Sequence, residues 1–242
     1  MHCFYIEPPE NGTAALKRDE AKHAAKVLRL RHGDIVCAMD GAGGRWDAEI
    51  TRVDAGGVAV RLHKALPDNE PPVRVTVYQG IPKAEKLDFI AQKLTELGAA
   101  ALIPVKMERC VVKLDDRDGK KRRDRLERVA LEAAKQCQRA RAAEISEPVT
   151  WKQAIAHMRR HDLVLAPWED ARGWRMKDAY ADHPEARDIG IVIGPEGGMS
   201  EDEVRAMQDI DALTVTLGPR ILRTETAAVV SAALAMQLWG DL

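Results

Sequence analysis

The stretch from residue 189 to residue 238 constrains the fold more than any other part of the chain. Residues 189–193 are apolar and β-branched apart from Gly190, as a buried strand requires. They run into Gly194-Pro195-Glu196-Gly197-Gly198-Met199, after which Ser200 and Glu203 have the spacing of a capping box and predict a helix start. The same order then repeats. Residues 214–217 read as a strand and 218–223 (Gly-Pro-Arg-Ile-Leu-Arg) as an irregular loop. Thr224 is expected to cap a long helix carrying Ala227, Val230, Leu234 and Leu238. Two strand–loop–helix units in tandem predict an α/β fold with parallel strands. Their loops open at one edge of the sheet, where such folds bind ligands.

The remainder of the chain divides at 67–72, a polar, proline-rich linker (Pro-Asp-Asn-Glu-Pro-Pro). The expected domains are therefore 1–70 and 73–242. In the first, residues 4–6, 34–39, 45–53 and 57–66 read as short strands between Gly- and Asp-containing turns. Residues 13–30 read as a helix, with Leu16, Ala24, Val27 and Leu28 inward and Lys17, Arg18, Lys22 and Lys26 outward. In the second, residues 73–79, 101–105 and 163–167 are expected strands. Residues 84–97 are an expected helix closed by Gly98, and 120–141 a charged helix. A polar, Trp-containing region covers 168–188.

Net charge is −1, yet it is unevenly spread. Residues 113–141 hold eleven Lys/Arg against six Asp/Glu, whereas 142–242 hold ten against seventeen. Residues 17–31 hold six basic and two acidic side chains. Local basic patches on a near-neutral chain point to a polyanion met at chosen surfaces, and His23 sits among them. No apolar run approaches the ~20 residues that span a bilayer. The start, Met1-His2-Cys3-Phe4-Tyr5, lacks the basic-then-apolar order of a secretory leader, so a cytoplasmic protein is expected. The four cysteines, at 3, 37, 110 and 137, fit no metal spacing and are expected to be reduced thiols. No membrane and no metal are expected.

The glycine-rich loop at 194–198 is neither G-x-G-x-x-G nor a phosphate loop followed by Lys-Ser/Thr. A phosphate at the Ser200 helix start would meet Glu201, Asp202 and Glu203. An adenosyl ligand without phosphate therefore fits better than NAD or ATP. In the loop 218–223, Ile221 and Leu222 offer apolar contact between backbone amides that can hold an uncharged purine.

Two segments resemble the signature loops of a bacterial family that methylates N3 of a uridine in 16S ribosomal RNA, within the SPOUT superfamily. They are Ile193-Gly-Pro-Glu-Gly-Gly-Met-Ser-Glu-Asp-Glu-Val204 and Leu217-Gly-Pro-Arg-Ile-Leu-Arg-Thr-Glu-Thr-Ala227. The resemblance extends to Lys83-Ala-Glu-Lys-Leu-Asp88, Gln92 through Gly98, Pro104 through Arg109, Glu132 through Gln136 with Arg139, and His23 through Asp34. It departs where the family opens with an arginine-rich strand, since here Met1-His2-Cys3-Phe4 stands. It departs again after Arg139, where the family carries a proline and this chain has Ala-Arg-Ala-Ala143.

The resemblance implies an N-terminal PUA-like β-barrel and a SPOUT-type parallel sheet whose C-terminal part is tied in a deep trefoil knot. It implies S-adenosylmethionine as cofactor, 16S rRNA or the small ribosomal subunit as partner, and a homodimer. The implied cofactor-binding residues are Leu165, Gly194, Pro195, Glu196, Gly197, Leu217, Gly218, Ile221, Leu222, Arg223, Thr224 and Ala227. The implied RNA contacts are Lys22, His23, Arg29, Arg31, Lys83, Lys86, Arg109 and Arg139. Gly218 is expected to let backbone approach the ligand where a Cβ would intrude.

Methylation at N3 requires an in-line approach to the methyl carbon and loss of the N3 proton, with positioning supplying much of the acceleration. Arg223 is the candidate for stabilising the developing anion. Glu196 and Glu225 are candidate proton acceptors. Their structural alternatives are satisfaction of loop amides by Glu196 and of the helix dipole by Glu225. Other functional readings are ribose 2′-O methylation of RNA, a non-catalytic ribosome assembly factor and, more distantly, a dinucleotide oxidoreductase.

Overall fold

A computed structural model describes residues 1–83, 85–112 and 116–242, without side-chain detail at 116 and 117. The chain forms two compact units. One comprises residues 1–70 with 134–142, and the other 71–133 with 143–242. The linker marks one crossing between them, and residues 134–142 add a stretch to the first unit that no composition shift in the sequence announces.

In the first unit, strands β1 (Cys3–Tyr5), β2 (Thr13–Ala15), β3 (Ile35–Met39), β4 (Arg45–Asp54) and β5 (Gly57–Ala65) form one sheet in the order β1-β3-β4-β5-β2. Alternation places Phe4, Val36, Ala38, Ala48, Ile50, Val58 and Val60 in one core. The expected helix over 13–30 is corrected here. Residues 13–15 pair antiparallel with β5, because Ala14 alternates into the core like its neighbours in the sheet. Helix α1 covers only Arg18–Lys22, and a single π-helical turn follows at His23–Val27. Val27, expected inward, is 65% exposed. In the same unit the Tyr5 hydroxyl reaches the Arg139 carbonyl at 3.5 Å, Lys135 pairs with Glu20 at 2.9 Å, and Arg141 donates to the Ala42 carbonyl. These bonds hold 134–142 in the unit.

In the second unit, strands β6 (Arg74–Gly80), β7 (Ala101–Lys106), β8 (Glu144–Ile145), β9 (Val149–Thr150), β10 (Leu163–Pro167), β11 (Asp188–Ile193) and β12 (Leu213–Val215) form a parallel sheet. Its path runs β12-β10-β11-β6-β7-β8, with β9 also beside β7. Helix α2 spans Lys86–Glu96, and Ala84, the expected start, lies outside the described residues. Helix α3 spans Asp116–Cys137, its residues from 134 onward belonging to the first unit, and breaks where Gln138 turns left-handed at φ 64°.

Two helices were not read from the sequence. Helix α4 (Trp151–Met158) opens with a capping box between Thr150 and Gln153, and α5 (Met176–Asp182) lies inside the polar region. Among helices, α4 and α6 (Glu201–Gln208) cover one face of the sheet. Ala154, Met158, Val204 and Met207 pack there on Tyr78, Val105, Val164 and Val192.

Helix α7 (Thr224–Trp239) packs on β6 and β11. Its buried side is Ala228, Ser231, Ala232, Ala235, Met236 and Trp239, mostly small residues that let the helix approach closely. Ala227, Val230, Leu234 and Leu238, the apolar residues by which the helix is read from the sequence, are only half-buried. An all-round apolar helix gives no periodicity from which to choose the inward side. Filling Ala232 with leucine would cost about 1–3 kcal/mol through overpacking.

Candidate active site

The loops after β11 and β12 meet at the carboxyl ends of the parallel strands. The meeting point is one hydroxyl. Thr224 Oγ1 donates to the Gly194 carbonyl at 2.6 Å and accepts from Gln79 Nε2 at 2.9 Å, joining the ends of β6 and β11 to the first turn of α7. The expected role of Thr224 as helix cap is corrected by this bond. Arg223 is the N-cap residue, and the Thr224 side chain is turned inward to the two loops. Gln79, fully buried near the end of β6, is a site residue that the sequence pattern alone does not single out. Its trace there is a lone amide amid Val75, Val77 and Tyr78.

The loop after β11 is tightly wired. Ser200 and Glu203 cap α6 reciprocally, as the spacing predicts, and Glu203 Oε1 also accepts from the Glu108 N–H at 2.8 Å. Arg109 Nη1 donates to the Gly197 carbonyl at 3.1 Å. Glu196 accepts from the Lys83 N–H at 3.0 Å, and its carboxylate lies 3.0 Å from Lys86 Nζ. Lys86 Nζ also lies 3.2 Å from Glu225 Oε2.

Burial works against the charge on Glu196. Hydrogen bonds from its own backbone N–H, Lys86 and the Lys83 N–H outweigh that effect, holding its carboxyl below the usual range. The hydrogen bond to Glu196, opposed by burial and aided by Glu225, raises Lys86 above the usual lysine range. Lys86 therefore braces two carboxylates across the loops.

The loop after β12 is open. Gly218 sits at φ +113°, and a Cβ there would meet no protein atom within 4 Å. The expected intrusion is thus not on protein. The backbone conformation is what requires glycine. Ile221 is 87% exposed. Among the described residues Arg220 and Arg223 have no ion pair.

A cavity of about 390 Å³ lies between the loops, lined by Pro167, Ile193, Gly194, Pro195, Met199, Leu222, Arg223, Thr224 and Ala227, with Lys86, Glu169 and Glu196 as its other charged groups. A larger one, about 1070 Å³, adjoins it through Glu169 and Ile221 and includes Thr216, Leu217, Gly218, Arg172 and Arg175. The structure thus brings Gly194, Pro195, Glu196, Ile221, Leu222, Arg223, Thr224 and Ala227 to one cavity and Leu217 and Gly218 to the next. Leu165 is not among the lining residues. It is fully buried two residues inside β10, whose end, Pro167, is the lining residue. Gly197 is likewise absent from the lining and faces Arg109 instead.

Of the candidate RNA contacts, Lys22, His23, Arg29 and Arg31 are exposed in the first unit, and the Lys22–Asp19 pair at 3.5 Å is too exposed to occupy the lysine. Arg139 is corrected. It is 5% exposed and Nε lies 3.2 Å from Glu70 Oε1, a buried pair that serves the unit's packing. Lys83 and Arg109 are exposed beside the glycine-rich loop, whereas Lys86 is occupied as described.

Residues 69–236 match the family model of an RNA methyltransferase domain, and residues 16–62 that of an RNA methyltransferase PUA domain. The chain belongs to the RNA methyltransferase family. This RNA methyltransferase is 35% identical over 238 residues to ribosomal RNA small subunit methyltransferase E of Bacillus subtilis, an alignment covering 94% of the chain and 93% of the relative. A crystal structure of a ribosomal RNA small subunit methyltransferase E from Neisseria gonorrhoeae, bound to S-adenosyl methionine, superposes with a TM-score of 0.88 at 30% identity. It covers 100% of this chain and 99% of that one. A methyltransferase from Legionella pneumophila in complex with the same cofactor superposes with a TM-score of 0.86 at 31% identity, covering 99% and 98%. The PUA match coincides with strands of the first unit, and the α/β match with the parallel sheet. Among the described residues no helix is long and apolar enough to cross a membrane, and no group of His, Cys, Asp and Glu is placed to hold a metal ion.

Proposed function

We propose that the chain transfers the methyl group of S-adenosylmethionine to N3 of a uridine in 16S ribosomal RNA. The observation that carries this reading is the Thr224 hydroxyl bond that draws the two signature loops around one cavity at the strand ends. The cavity suits this cofactor. Its walls are apolar side chains and loop backbone, its charged groups include two carboxylates, and the adjacent helix start is acidic. That combination accommodates an adenosyl group and a positive sulfonium and disfavours phosphate. Gly194, Pro195, Ile221, Leu222, Thr224 and Ala227 would hold the cofactor, whose sulfonium supplies an electrophilic methyl.

Arg223, at the cavity and in no ion pair among the described residues, stabilises negative charge developing on the uracil oxygens. Glu196 and Glu225, both engaged by Lys86, hold the loops in place. The first unit, over residues 1–70, docks RNA phosphate through Lys22, His23, Arg29 and Arg31, while residues 73–242 form the methyltransferase domain. The deep trefoil knot belongs to the same reading. After β12 at the sheet edge, the chain returns past β10 to reach Gly194 and Gln79. The homodimer does too, since the half-buried stripe Ala227, Val230, Leu234 and Leu238 offers a second apolar side of α7 to a second copy.

Mass spectrometry of 16S rRNA from a deletion strain, before and after treatment with purified protein and cofactor, tests the function. One 3-methyluridine should be missing and then restored. An unchanged methylation map, or a methyl on a ribose, would refute it.

A further inference from the structure

Four charged groups line the smaller cavity: Lys86, Glu169, Glu196 and Arg223. Two of them are already committed to each other, with Lys86 and Glu196 3.0 Å apart. The neighbouring carboxylate Glu225 shares the same lysine. Glu169 differs. It is exposed in the turn just after β10, and among the described residues its carboxylate has neither a hydrogen bond nor an ion pair. It lines both cavities.

The backbone around it leaves room for that carboxylate. Gly198 has φ +71°, and a Cβ there would come 2.5 Å from Glu169 Oε1. The glycine therefore supplies the space that lets the carboxylate lie over the loop after β11. A second tie fixes the turn that carries it, since Arg172 Nη1 donates to the Glu169 carbonyl at 3.1 Å and the Trp168 N–H to the Val215 carbonyl at 3.1 Å.

We infer that Glu169 is the proton acceptor for the methylated base. This rests on the uridine-N3 reading above. In the step, N3 forms its bond to the methyl carbon, the carbon–sulfur bond breaks with its electron pair retained by sulfur, and the N3 proton passes to the Glu169 carboxylate. The acid is then deprotonated by water. Glu196 is the poorer base because hydrogen bonds hold its carboxyl below the usual range. A carboxylate free of partners can reorient to a substrate nitrogen without breaking existing bonds.

The test uses the full chain with Glu169→Gln and Glu169→Asp. Single-turnover methylation of 16S rRNA is measured from pH 6.5 to 9, together with calorimetric binding of S-adenosylmethionine and thermal unfolding. Glu169→Gln should slow the single-turnover rate roughly 10²–10³-fold, while cofactor affinity, which loses one of the cavity's two carboxylates, falls no more than a few-fold. Its rate should climb about tenfold per pH unit, as solvent base and ionisation of the uracil take over. The wild type should be flatter, and Glu169→Asp should recover part of the rate. A tenfold or larger loss of cofactor affinity with the rate at saturating cofactor retained would instead make Glu169 a cofactor ligand and overturn the inference. So would a slowed rate with an unchanged pH slope. Failure of the wild type to methylate any 16S rRNA would sink the proposed function itself, which separates the two failures.

Discussion

The two loops that meet at the cavity are built on opposite principles. In the loop after β11 nearly every polar group is engaged: Glu196 with Lys83 and Lys86, the Gly197 carbonyl with Arg109, and Ser200 with Glu203. In the loop after β12 the chief polar contact is the Thr216 hydroxyl with Gly218, while Ile221 projects to solvent and Arg220 and Arg223 stand unpaired among the described residues. The difference separates charges that maintain the architecture from charges left over for a ligand. A charge already neutralised at 3 Å is a poor catalyst, because using it means first breaking what holds it.

The sharpest way to break this comparison is Arg223→Ala. If the open loop carries the chemistry, turnover should fall roughly 10²–10³-fold with cofactor affinity changed only a few-fold. Kinetics beside calorimetry measures both. Equal losses in the two would return Arg223 to a binding role and erase the distinction between the loops.

Next in size is Gly218→Val. The left-handed φ at this position costs a β-branched residue about 1–3 kcal/mol. The free loop would relax away and binding would have to restore it, so cofactor affinity should fall roughly tenfold to hundredfold. Thermal stability should hold, because the Cβ meets no protein atom. A fall in stability with affinity retained would show that this loop, too, is architectural.

Much of this contrast could be read before the structure, and the reasons for the remainder are physical. The capping box at Ser200, the tandem strands and the parallel sheet follow from local pattern, and local pattern persists in the fold. The inward side of α7 does not, since Ala228 and Ala227 are equally apolar and only the sheet beneath distinguishes them. Residues 13–15 look helical in sequence because three residues are too few to show a period of two. The pairing of Arg139 with Glu70 spans 69 residues and left no local trace. Nor did the bracing by Lys86, where a cation beside a glycine-rich loop looks the same in sequence whether it meets RNA or two glutamates.

A smaller effect tests the wired loop. Lys86→Met should leave Glu196 and Glu225 without their shared cation and reduce cofactor affinity roughly tenfold. The pH dependence follows from the directions of the two shifts. Glu196 titrates lower when folded, so its contribution is complete above the unfolded carboxylate value near ~4.3 and is lost as pH falls through the lower folded one. Lys86 titrates higher when folded, so its contribution is complete below ~10.4 and is lost as pH rises through the raised value. The ratio of wild-type to Lys86→Met cofactor affinity, in which titration of the cofactor's own amino group cancels, should thus be level from about pH 5 to 9, the range in which both charges persist. A step inside that window, measured by calorimetry, would mean that the brace is not what orders the loop.

The smallest effect concerns the first unit and extends the comparison to RNA. Arg29 sits at φ 54°, just after the π-helical turn, where the Leu30 N–H closes on the Ala24 carbonyl. Left-handed backbone is the usual way to end a helical segment, and glycine is the usual residue for it. Arginine accepts roughly 1 kcal/mol of strain there that glycine would avoid. An exposed side chain retained at such a position is cationic for a reason outside folding if it contacts phosphate. Arg29→Gly separates the two roles. Stability should stay level or rise slightly, since relief of strain is partly offset by the greater chain entropy of glycine. RNA affinity should fall a few-fold, and the slope of its logarithm against the logarithm of salt should shrink by about one, as for one lost phosphate contact. Cofactor affinity should not change. An unaltered salt slope would place Arg29 off the RNA, and the docking role would then fall to Lys22, His23 and Arg31 alone.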